Sequence, residues 1–294
     1  MKMRKLMAVA AIAALALGAT ACGDDKSDSA APKVDKDVKF DAGTTMEKLN
    51  KAQKVRVGTK FDQPLFGQKG LDGKLKGFDV EIAKIITAKL GIDPDKIEFV
   101  ETPSKVREEV IEQDKVDFVV ATYTINDKRK LRIDFAGPYY VAGQDIMVKK
   151  DDSSITGPDS FKDGGKKVCS VTGSTPAEKI KTYLKDAASQ LVLFDVYSKC
   201  ADALKNGQVD AVTTDNVILL GLIDKNKDDF KLVGKPFTEE PYGIGVKKGD
   251  DKFRTFINDT LEAAAKDGSY EKAWKDTAGK VAPETPSLPT INRY

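Results

Sequence analysis

Two short segments of similar sequence end in polar residues that could bind a ligand. The segments are Val116–Thr122 and Val209–Asp215, and each follows a helical, charge-rich stretch. Both are typical of buried parallel strands, and an open α/β sheet places its ligand groups at the carboxyl ends of such strands. A hydroxyl from Thr122 and a carboxylate from Asp215 would then contact one polar ligand between two similar lobes. A chance match of this length is the alternative.

The absence of histidine removes several kinds of chemistry from the chain. It excludes Ser-His-Asp and Cys-His nucleophile systems, His-ligated zinc or haem, and the commonest general base near neutral pH. The sequence also has no nucleophile elbow, phosphate-binding loop or metal-ligand cluster. We therefore expect no catalytic residue, no metal and no cofactor.

Length and charge set further limits. A chain of 294 residues with 40% hydrophobic residues can form one large or two medium domains. Its 48 basic and 46 acidic residues are interspersed, so the sequence has no electrostatic footprint for nucleic acid.

The first residues predict export. Three basic residues precede an apolar run, Leu6–Leu17, which is too short to span a membrane, and small residues lead to Cys22. This pattern resembles a bacterial lipobox, so we expect a signal peptide over residues 1–21 and lipidation of Cys22. Ala19 stands where leucine is usual, which leaves cleavage without lipidation as the alternative. The polar stretch that follows, residues 22–42, is predicted to be a flexible tether.

The two remaining cysteines are predicted to pair. With Cys22 lipidated, Cys169 and Cys200 form an even pair in an oxidising compartment. A disulfide between them would stabilise the fold by roughly 3 to 4 kcal/mol on the chain-entropy model. Two buried free thiols are the alternative.

Strand and helix patterns alternate from Val55 onward, which favours an α/β fold with parallel sheets. A first series ends near Gly143, and a second series repeats its order. Helices are predicted from Phe78 to Gly91 and from Thr175 to Asp186. Two extended segments, around Pro138–Gly143 and Pro236–Val246, predict a hinge of two strands between the lobes.

Six motifs occur in order along the chain: Gly58–Pro64, Gly77–Val80, Ala121–Arg129, Asp134–Tyr139, Ser170–Pro176 and Thr214–Asp215. Together they resemble the family 3 extracellular solute-binding proteins, which serve ABC importers of polar amino acids. The resemblance spans about Val55 to Trp274 and, within the family, points to the glutamate-binding lipoproteins of actinobacteria.

The resemblance implies a type II periplasmic-binding-protein (Venus flytrap) fold, in which two α/β lobes joined by a two-strand hinge close on an amino acid. The domain boundaries that we expect are residues 43–142 and 241–282 for lobe 1, 143–240 for lobe 2, and 283–294 for a loose tail or strap.

The resemblance also implies a ligand set. Arg129 matches the arginine that binds the ligand α-carboxylate, a task that suits a bidentate guanidinium, although a charge run such as Asp127–Lys130 is otherwise a solvated face. Thr122 and Thr124 would add contacts to the same group.

Asp215 matches the acid that pairs with the α-ammonium, and it could also be the N-cap of the next helix. The backbone N–H groups of Thr172 and Gly173 could meet the ligand carboxylate at a helix terminus, with an ordinary capped turn as the alternative.

Side-chain selectivity needs further donors. Lys60 and Arg107 lie where members that bind acidic amino acids have basic groups, and Ser104, one helical turn before Arg107, could share the ligand carboxylate. A solvated arginine on a helix face is the alternative for Arg107. Tyr197 is a candidate for the opposite wall.

The leading hypothesis is therefore a lipid-anchored receptor on the extracellular face of the cell membrane, expected to be a monomer. It would deliver L-glutamate, or aspartate, glutamine or asparagine, to the transmembrane subunits of an ABC permease. The alternatives are an exported dehydratase of the same fold and an extracellular amino-acid sensor module.

Overall fold

The predicted alternation of strands and helices is present in the structure, a computed structural model that describes residues 32–294. The signal peptide, Cys22 and the first part of the predicted tether lie outside the described residues. The strands are β1 (Val55–Thr59), β2 (Asp62–Gln63), β3 (Gly67–Lys69), β4 (Leu75–Lys76), β5 (Ile97–Glu101), β6 (Phe118–Thr124), β7 (Asp134–Ala142), β8 (Gln144–Lys149), β9 (Val168–Val171), β10 (Leu191–Phe194), β11 (Ala211–Asp215), β12 (Phe230–Leu232) and β13 (Glu240–Val246).

Helices pack around these strands, and short 3₁₀ turns connect several of them. The helices are α1 (Thr45–Ala52), α2 (Phe78–Lys89), α3 (Arg107–Glu112), α4 (Asp127–Lys130), α5 (Thr175–Ile180), α6 (Ala187–Gln190), α7 (Tyr197–Lys205), α8 (Asn216–Lys225), α9 (Asp251–Asp267) and α10 (Ser269–Asp276).

Two five-stranded sheets form the centres of two lobes. The sheet of the first lobe has the order β5-β1-β6-β13-β7, and that of the second lobe has the order β10-β9-β11-β8-β12. The two similar segments of the sequence thus provide β6 and β11, each the middle strand of its sheet. A small antiparallel sheet, β2-β3-β4, extends from the first lobe.

Both sheets are buried on their two faces, as the apolar runs predict. Along β6, Phe118 and Val120 belong to one core cluster, whereas Val119 and Tyr123 belong to the cluster on the opposite face. Helices α9 and α10 contribute Phe253, Ile257, Tyr270 and Trp274 to the first of these clusters. The segment after the second crossing therefore packs on the first lobe.

The chain crosses between the sheets twice, through Gly143 and through residues 233–239. The crossings run side by side: the Phe237 N–H donates to Gln144 O at 2.9 Å, and Glu240 pairs with Ala142. This arrangement is the two-strand hinge that the sequence predicts.

The helix predicted from Thr175 to Asp186 is shorter in the structure. Helix α5 ends at Ile180, a 3₁₀ turn follows, and the Asp186 side chain accepts the Ala188 N–H to begin α6. The helical run ends before Asp186, because the backbone of Leu184 is already extended and Asp186 is the N-cap of the next helix.

Part of the predicted flexible tether and the predicted loose tail or strap are both packed on the first lobe. In residues 32–42, the last part of the predicted tether, the Asp35 N–H donates to Ala88 O at 3.1 Å, and Phe40 packs edge-on against Phe256. In the predicted tail, the Asn292 N–H donates to Gly137 O at 2.8 Å. Apolar residues within both polar stretches explain the difference, since they cover part of the first core.

Candidate functional site

A polar cavity lies between the lobes, at the carboxyl ends of β6 and β11. The open space among its lining residues is about 220 Å³, which includes space open to solvent, so the cleft is narrow in this structure. Six of the predicted site residues line it: Ser104, Arg107, Thr122, Thr124, Tyr197 and Asp215. Other lining residues are Gln63, Ser174, Thr175, Pro176, Thr214 and Ile218.

Arg129 spans the cleft beside this cavity. Its Nη1 donates to Thr124 O at 2.6 Å in its own lobe, and its Nη2 donates to Gly173 O of the second lobe at 3.2 Å. Its Nε pairs with Glu108 Oε1 at 3.2 Å. The guanidinium is therefore fixed from three sides next to the end of β6, and only 6% of the residue is exposed.

Thr122 is held in an unusual backbone conformation. Its φ is +46°, a left-handed value that is rare for a β-branched residue. The Thr122 N–H donates to the buried Asp79 Oδ2 at 2.9 Å, and Tyr139 Oη donates to Asp79 Oδ1 at 2.6 Å. Asp79 at the start of α2 thus fixes the end of β6, where the cavity begins.

Asp215 is the acidic group of the cavity. Tyr242 Oη donates to Asp215 Oδ2 at 2.6 Å, whereas Oδ1 is buried and accepts no hydrogen bond from residues 32–294. Burial and the nearby Glu240 raise the pKa of Asp215 to about 7. A cationic donor of a ligand could bind the free Oδ1 and would favour the carboxylate form by lowering this pKa. The predicted capping role is not formed, because the side chain makes no cap bond to α8 within the described chain.

Ser104 and Arg107 form a second polar wall, and Lys60 lies behind Ser104, outside the residues that line the cavity. Lys60 Nζ donates to Ser104 Oγ at 2.8 Å, and Arg107 Nη1 donates to Ala121 O at 2.7 Å. The Arg107 guanidinium lies over the Tyr123 ring, 4.0 Å from its centroid. Both cations are 2% exposed, so the alternative of a solvated arginine is excluded for Arg107.

Neither of these cations forms an ion pair with a carboxylate of residues 32–294. Burial, together with the charge of Arg107, lowers the pKa of Lys60 to about 7. Burial and Arg129 lower the pKa of Arg107 to about 10. Both shifts have the direction expected of cations that lack an anionic partner.

The residues at the start of α5 differ from the prediction. Thr172 is exposed, and its N–H donates to Phe194 O at 2.9 Å, so it is not available to a ligand carboxylate. Gly173 contributes its carbonyl to Arg129. Ser174 and Thr175, one and two residues later, line the cavity instead. The displacement arises because Thr172 continues the hydrogen bonding of the sheet, and the chain turns toward the cleft only after it.

Residues 55–277 match the sequence model of the bacterial extracellular solute-binding proteins, family 3. The chain belongs to this family. The family resemblance and the two-lobed α/β fold that the sequence predicts are thus confirmed. Among residues 32–294 of this solute-binding protein, no helix combines the length and the apolar character needed to cross a membrane.

Relatives of this solute-binding protein bind different amino acids. The glutamate-binding protein GluB of Corynebacterium efficiens is 40% identical over 235 residues, which cover 77% of this chain and 79% of GluB. The ABC transporter glutamine-binding protein GlnH of Bacillus subtilis is 38% identical over 275 residues, 93% of this chain and 97% of GlnH.

Solved structures of an ancestral arginine-binding protein are also similar. The arginine-bound structure has a TM-score of 0.71 and 40% identity and covers 76% of this chain and 98% of its own. The glutamine-bound structure has a TM-score of 0.70 at the same identity, with 76% and 97% covered. Family membership therefore leaves the choice of amino acid to the residues of the cavity.

Several cavity residues of this solute-binding protein were missed from the sequence. Gln63 is fully buried; its Oε1 accepts the Thr122 hydroxyl at 3.0 Å, and its Nε2 has no partner among the described residues. Thr175 Oγ1 donates to the buried Glu240 Oε2 at 2.7 Å and lies 3.3 Å from Thr124 Oγ1. Gln63 lies within the motif Gly58–Pro64, and this motif was the one feature of the sequence that could have indicated its place at the cavity.

The predicted disulfide joins Cys169 and Cys200, whose Cα atoms lie 5.5 Å apart. It links β9 to α7, so it connects the strand before Ser174 with the helix that begins at Tyr197. Both cysteines are fully buried in the core of the second lobe. The bridge thereby fixes two cavity-lining segments relative to each other.

Proposed function

We propose that the protein binds L-glutamate between its lobes on the extracellular face of the membrane and delivers it to an ABC permease. The observation that supports glutamate is the pair of buried cations, Lys60 and Arg107, that have no carboxylate partner within residues 32–294. A buried unpaired charge is costly, and a ligand carboxylate would remove that cost.

The rest of the ligand fits the remaining groups. The α-carboxylate would meet Arg129, Thr124 and the start of α5, and the α-ammonium would meet Asp215 Oδ1. The side-chain carboxylate would meet Arg107 and Ser104, with Lys60 behind Ser104. Lys60 has two further N–H donors on its ammonium after Ser104 is satisfied.

The relatives make glutamine and arginine the main competing ligands. An arginine side chain would place a third cation beside Lys60 and Arg107, which like-charge repulsion opposes. Glutamine could accept hydrogen bonds there but would leave both cations without a counter-charge. The side chains of aspartate and asparagine are one methylene shorter than that of glutamate, so their terminal groups would lie farther from Arg107 and Ser104. We therefore expect glutamate to bind most tightly, followed by glutamine.

Titration calorimetry with these five amino acids tests the proposal, combined with the variant Arg107→Met. Methionine keeps most of the packing on Tyr123 but removes the charge. We expect this variant to weaken glutamate by about tenfold to a hundredfold, the effect of a charged hydrogen bond, and glutamine by much less. Arg132→Met, which removes an exposed cation paired with Glu112, is the matched control. Equal losses for glutamate and glutamine would refute the side-chain pocket.

Anchoring and delivery complete the proposal. Cys22 would hold the protein at the membrane through its lipid, and the closed form would dock on the transmembrane subunits of the permease. Mass spectrometry of the mature protein tests the anchor. Lipidation would add the mass of a diacylglyceryl group to Cys22, the first residue after cleavage of the signal peptide.

A further inference from the structure

We propose that Asp62, Gln63 and Pro64 form a latch that holds the second lobe in the closed arrangement while sensing the ligand. This inference rests on the proposed function, since the closing of the lobes on a ligand is the event that the latch would stabilise. The three residues project from the first lobe in β2 and the residue after it, and each makes a separate contact across or at the cleft.

Asp62 caps a helix of the other lobe. Its Oδ2 accepts the backbone N–H groups of Tyr197 at 2.9 Å and Ser198 at 3.2 Å, the first two residues of α7. The residue before the helix is Val196, a poor N-cap, and within the described chain its side chain makes no cap bond. The N–H groups at a helix N-terminus need acceptors, and the helix dipole favours a negative one. Helix α7 therefore receives its cap from the first lobe.

Pro64 occupies space that a side chain on α8 would need. A Cβ atom built on Gly221 would lie 2.5 Å from Pro64 O, which is closer than real Cβ atoms come to an oxygen. Gly221 lies within α8, where glycine costs about 1 kcal/mol of helix stability relative to alanine. The close approach of the first lobe accounts for a residue that the helix itself disfavours.

Gln63 connects these two contacts with the ligand. It lies between Asp62 and Pro64 in sequence, lines the cavity, and accepts the hydroxyl of Thr122. A ligand that orders Gln63 would therefore also order the residues on either side of it. The latch thus couples occupation of the cavity to the two contacts with the second lobe.

The test uses the purified protein. It measures the rate at which bound radiolabelled glutamate dissociates, by rapid filtration, and the thermal stability of each variant. We expect Asp62→Ala to accelerate dissociation by about tenfold, the lower range for a charged hydrogen bond. Asp62→Asn should have a smaller effect, because an amide oxygen accepts the same N–H groups without a charge. The exposed Asp151→Asn is the control. Unchanged dissociation in Asp62→Ala would overturn the latch.

Gly221→Ala supplies an independent readout, because its two effects have opposite signs. Alanine favours the helix, so the thermal stability of the ligand-free protein should rise or stay constant, whereas glutamate affinity should fall at least tenfold. Gly157→Ala, at a position with no atom within 4 Å of the added carbon, is the control. Full affinity in Gly221→Ala would contradict the proposed contact.

The outcomes also separate the latch from the proposed function. A wild-type protein that does not bind glutamate refutes the glutamate proposal, and the same variants then test the latch with whichever of the twenty amino acids it does bind. A wild-type protein that binds none of the twenty refutes both.

Discussion

Lys60 and Arg107 are buried cations to which residues 32–294 supply hydrogen-bond acceptors but no carboxylate. Asp215 is the complementary case, a buried acid with one oxygen that no described residue satisfies. These three groups are costly in an empty cleft, and an acidic amino acid would satisfy all of them at once. The charges of the cavity thus match the charges of the proposed ligand group by group.

The pKa values of Lys60 and Asp215 predict different pH profiles for glutamate and glutamine. A ligand ammonium stabilises the Asp215 carboxylate, so affinity for both ligands should rise with pH up to about 7, the pKa of unliganded Asp215. A ligand side-chain carboxylate stabilises the Lys60 ammonium and raises its pKa above the unliganded value of about 7. Glutamate affinity should therefore fall above pH 7, by up to about tenfold per pH unit for one proton.

Calorimetry between pH 6 and pH 8, where the α-ammonium of both ligands stays protonated, checks this expectation. Glutamine is the matched ligand, because it shares the α-ammonium and α-carboxylate, and its affinity should level off above pH 7. The variant Lys60→Met should remove the fall for glutamate. Parallel profiles for the two ligands in the wild-type protein would show that Lys60 does not face the ligand side chain.

The sequence predicted these residues better than it predicted their contacts. Arg107 and Ser104 were named through the family resemblance, and Asp215 ends a recognisable strand; all three line the cavity. Gln63 and Thr175 were missed because their roles depend on contacts with Thr122 and Glu240, which are distant in sequence. Thr172 was misplaced because one extra hydrogen bond of the sheet, to Phe194, shifts the turn.

At the scale of elements, the end of β6 depends on α2. The N–H of Thr122 and the hydroxyl of Tyr139 both donate to the carboxylate of Asp79, which is fully buried in the first turn of α2. Helix and strand are both evident from periodicity, but no local pattern indicates that a threonine adopts φ +46° between them. The cap of α7 by Asp62 is similarly hidden, because the capping residue lies in the other lobe.

We predict that Asp79→Ala destabilises the protein by about 2 to 4 kcal/mol, because it leaves two buried donors without an acceptor. Denaturant unfolding measures this change. Tyr139→Phe alone should cost about 1 kcal/mol, but in the Asp79→Ala background it should cost little or even stabilise, since the hydroxyl has already lost its acceptor. Strict additivity of the two substitutions would contradict the proposed role of Asp79 in fixing the end of β6.

At the scale of the whole molecule, the two lobes meet through groups that also surround the ligand cavity. Arg129 reaches Gly173, Thr175 reaches Glu240 at the hinge, and Asp62 reaches α7. The two-lobed fold and its hinge could be predicted because strand and helix periods are local properties. The contacts of Arg129, Thr175 and Asp62 between the lobes could not be predicted, because they depend on how the two sheets approach each other.

This arrangement predicts that closure requires both the α-ammonium and the α-carboxylate of the ligand. Glutarate lacks the α-ammonium, so closing on it would bury Asp215 without a partner, and removing one partner of a buried ion pair costs about 3 to 5 kcal/mol. We expect glutarate to bind at least a hundredfold more weakly than glutamate, since 2.7 kcal/mol corresponds to about a hundredfold.

The compound 4-aminobutyrate tests the other group. It has the ammonium and the distal carboxylate of glutamate but lacks the α-carboxylate that Arg129 would bind. We expect it to be weakened to a similar extent, and neither compound to reduce the radius of gyration in small-angle X-ray scattering to the value reached with glutamate. Glutarate binding within tenfold of glutamate would show that Asp215 does not hold the ammonium. The same result for 4-aminobutyrate would remove Arg129 from the α-carboxylate site, so the two ligands test the two walls of the cleft separately.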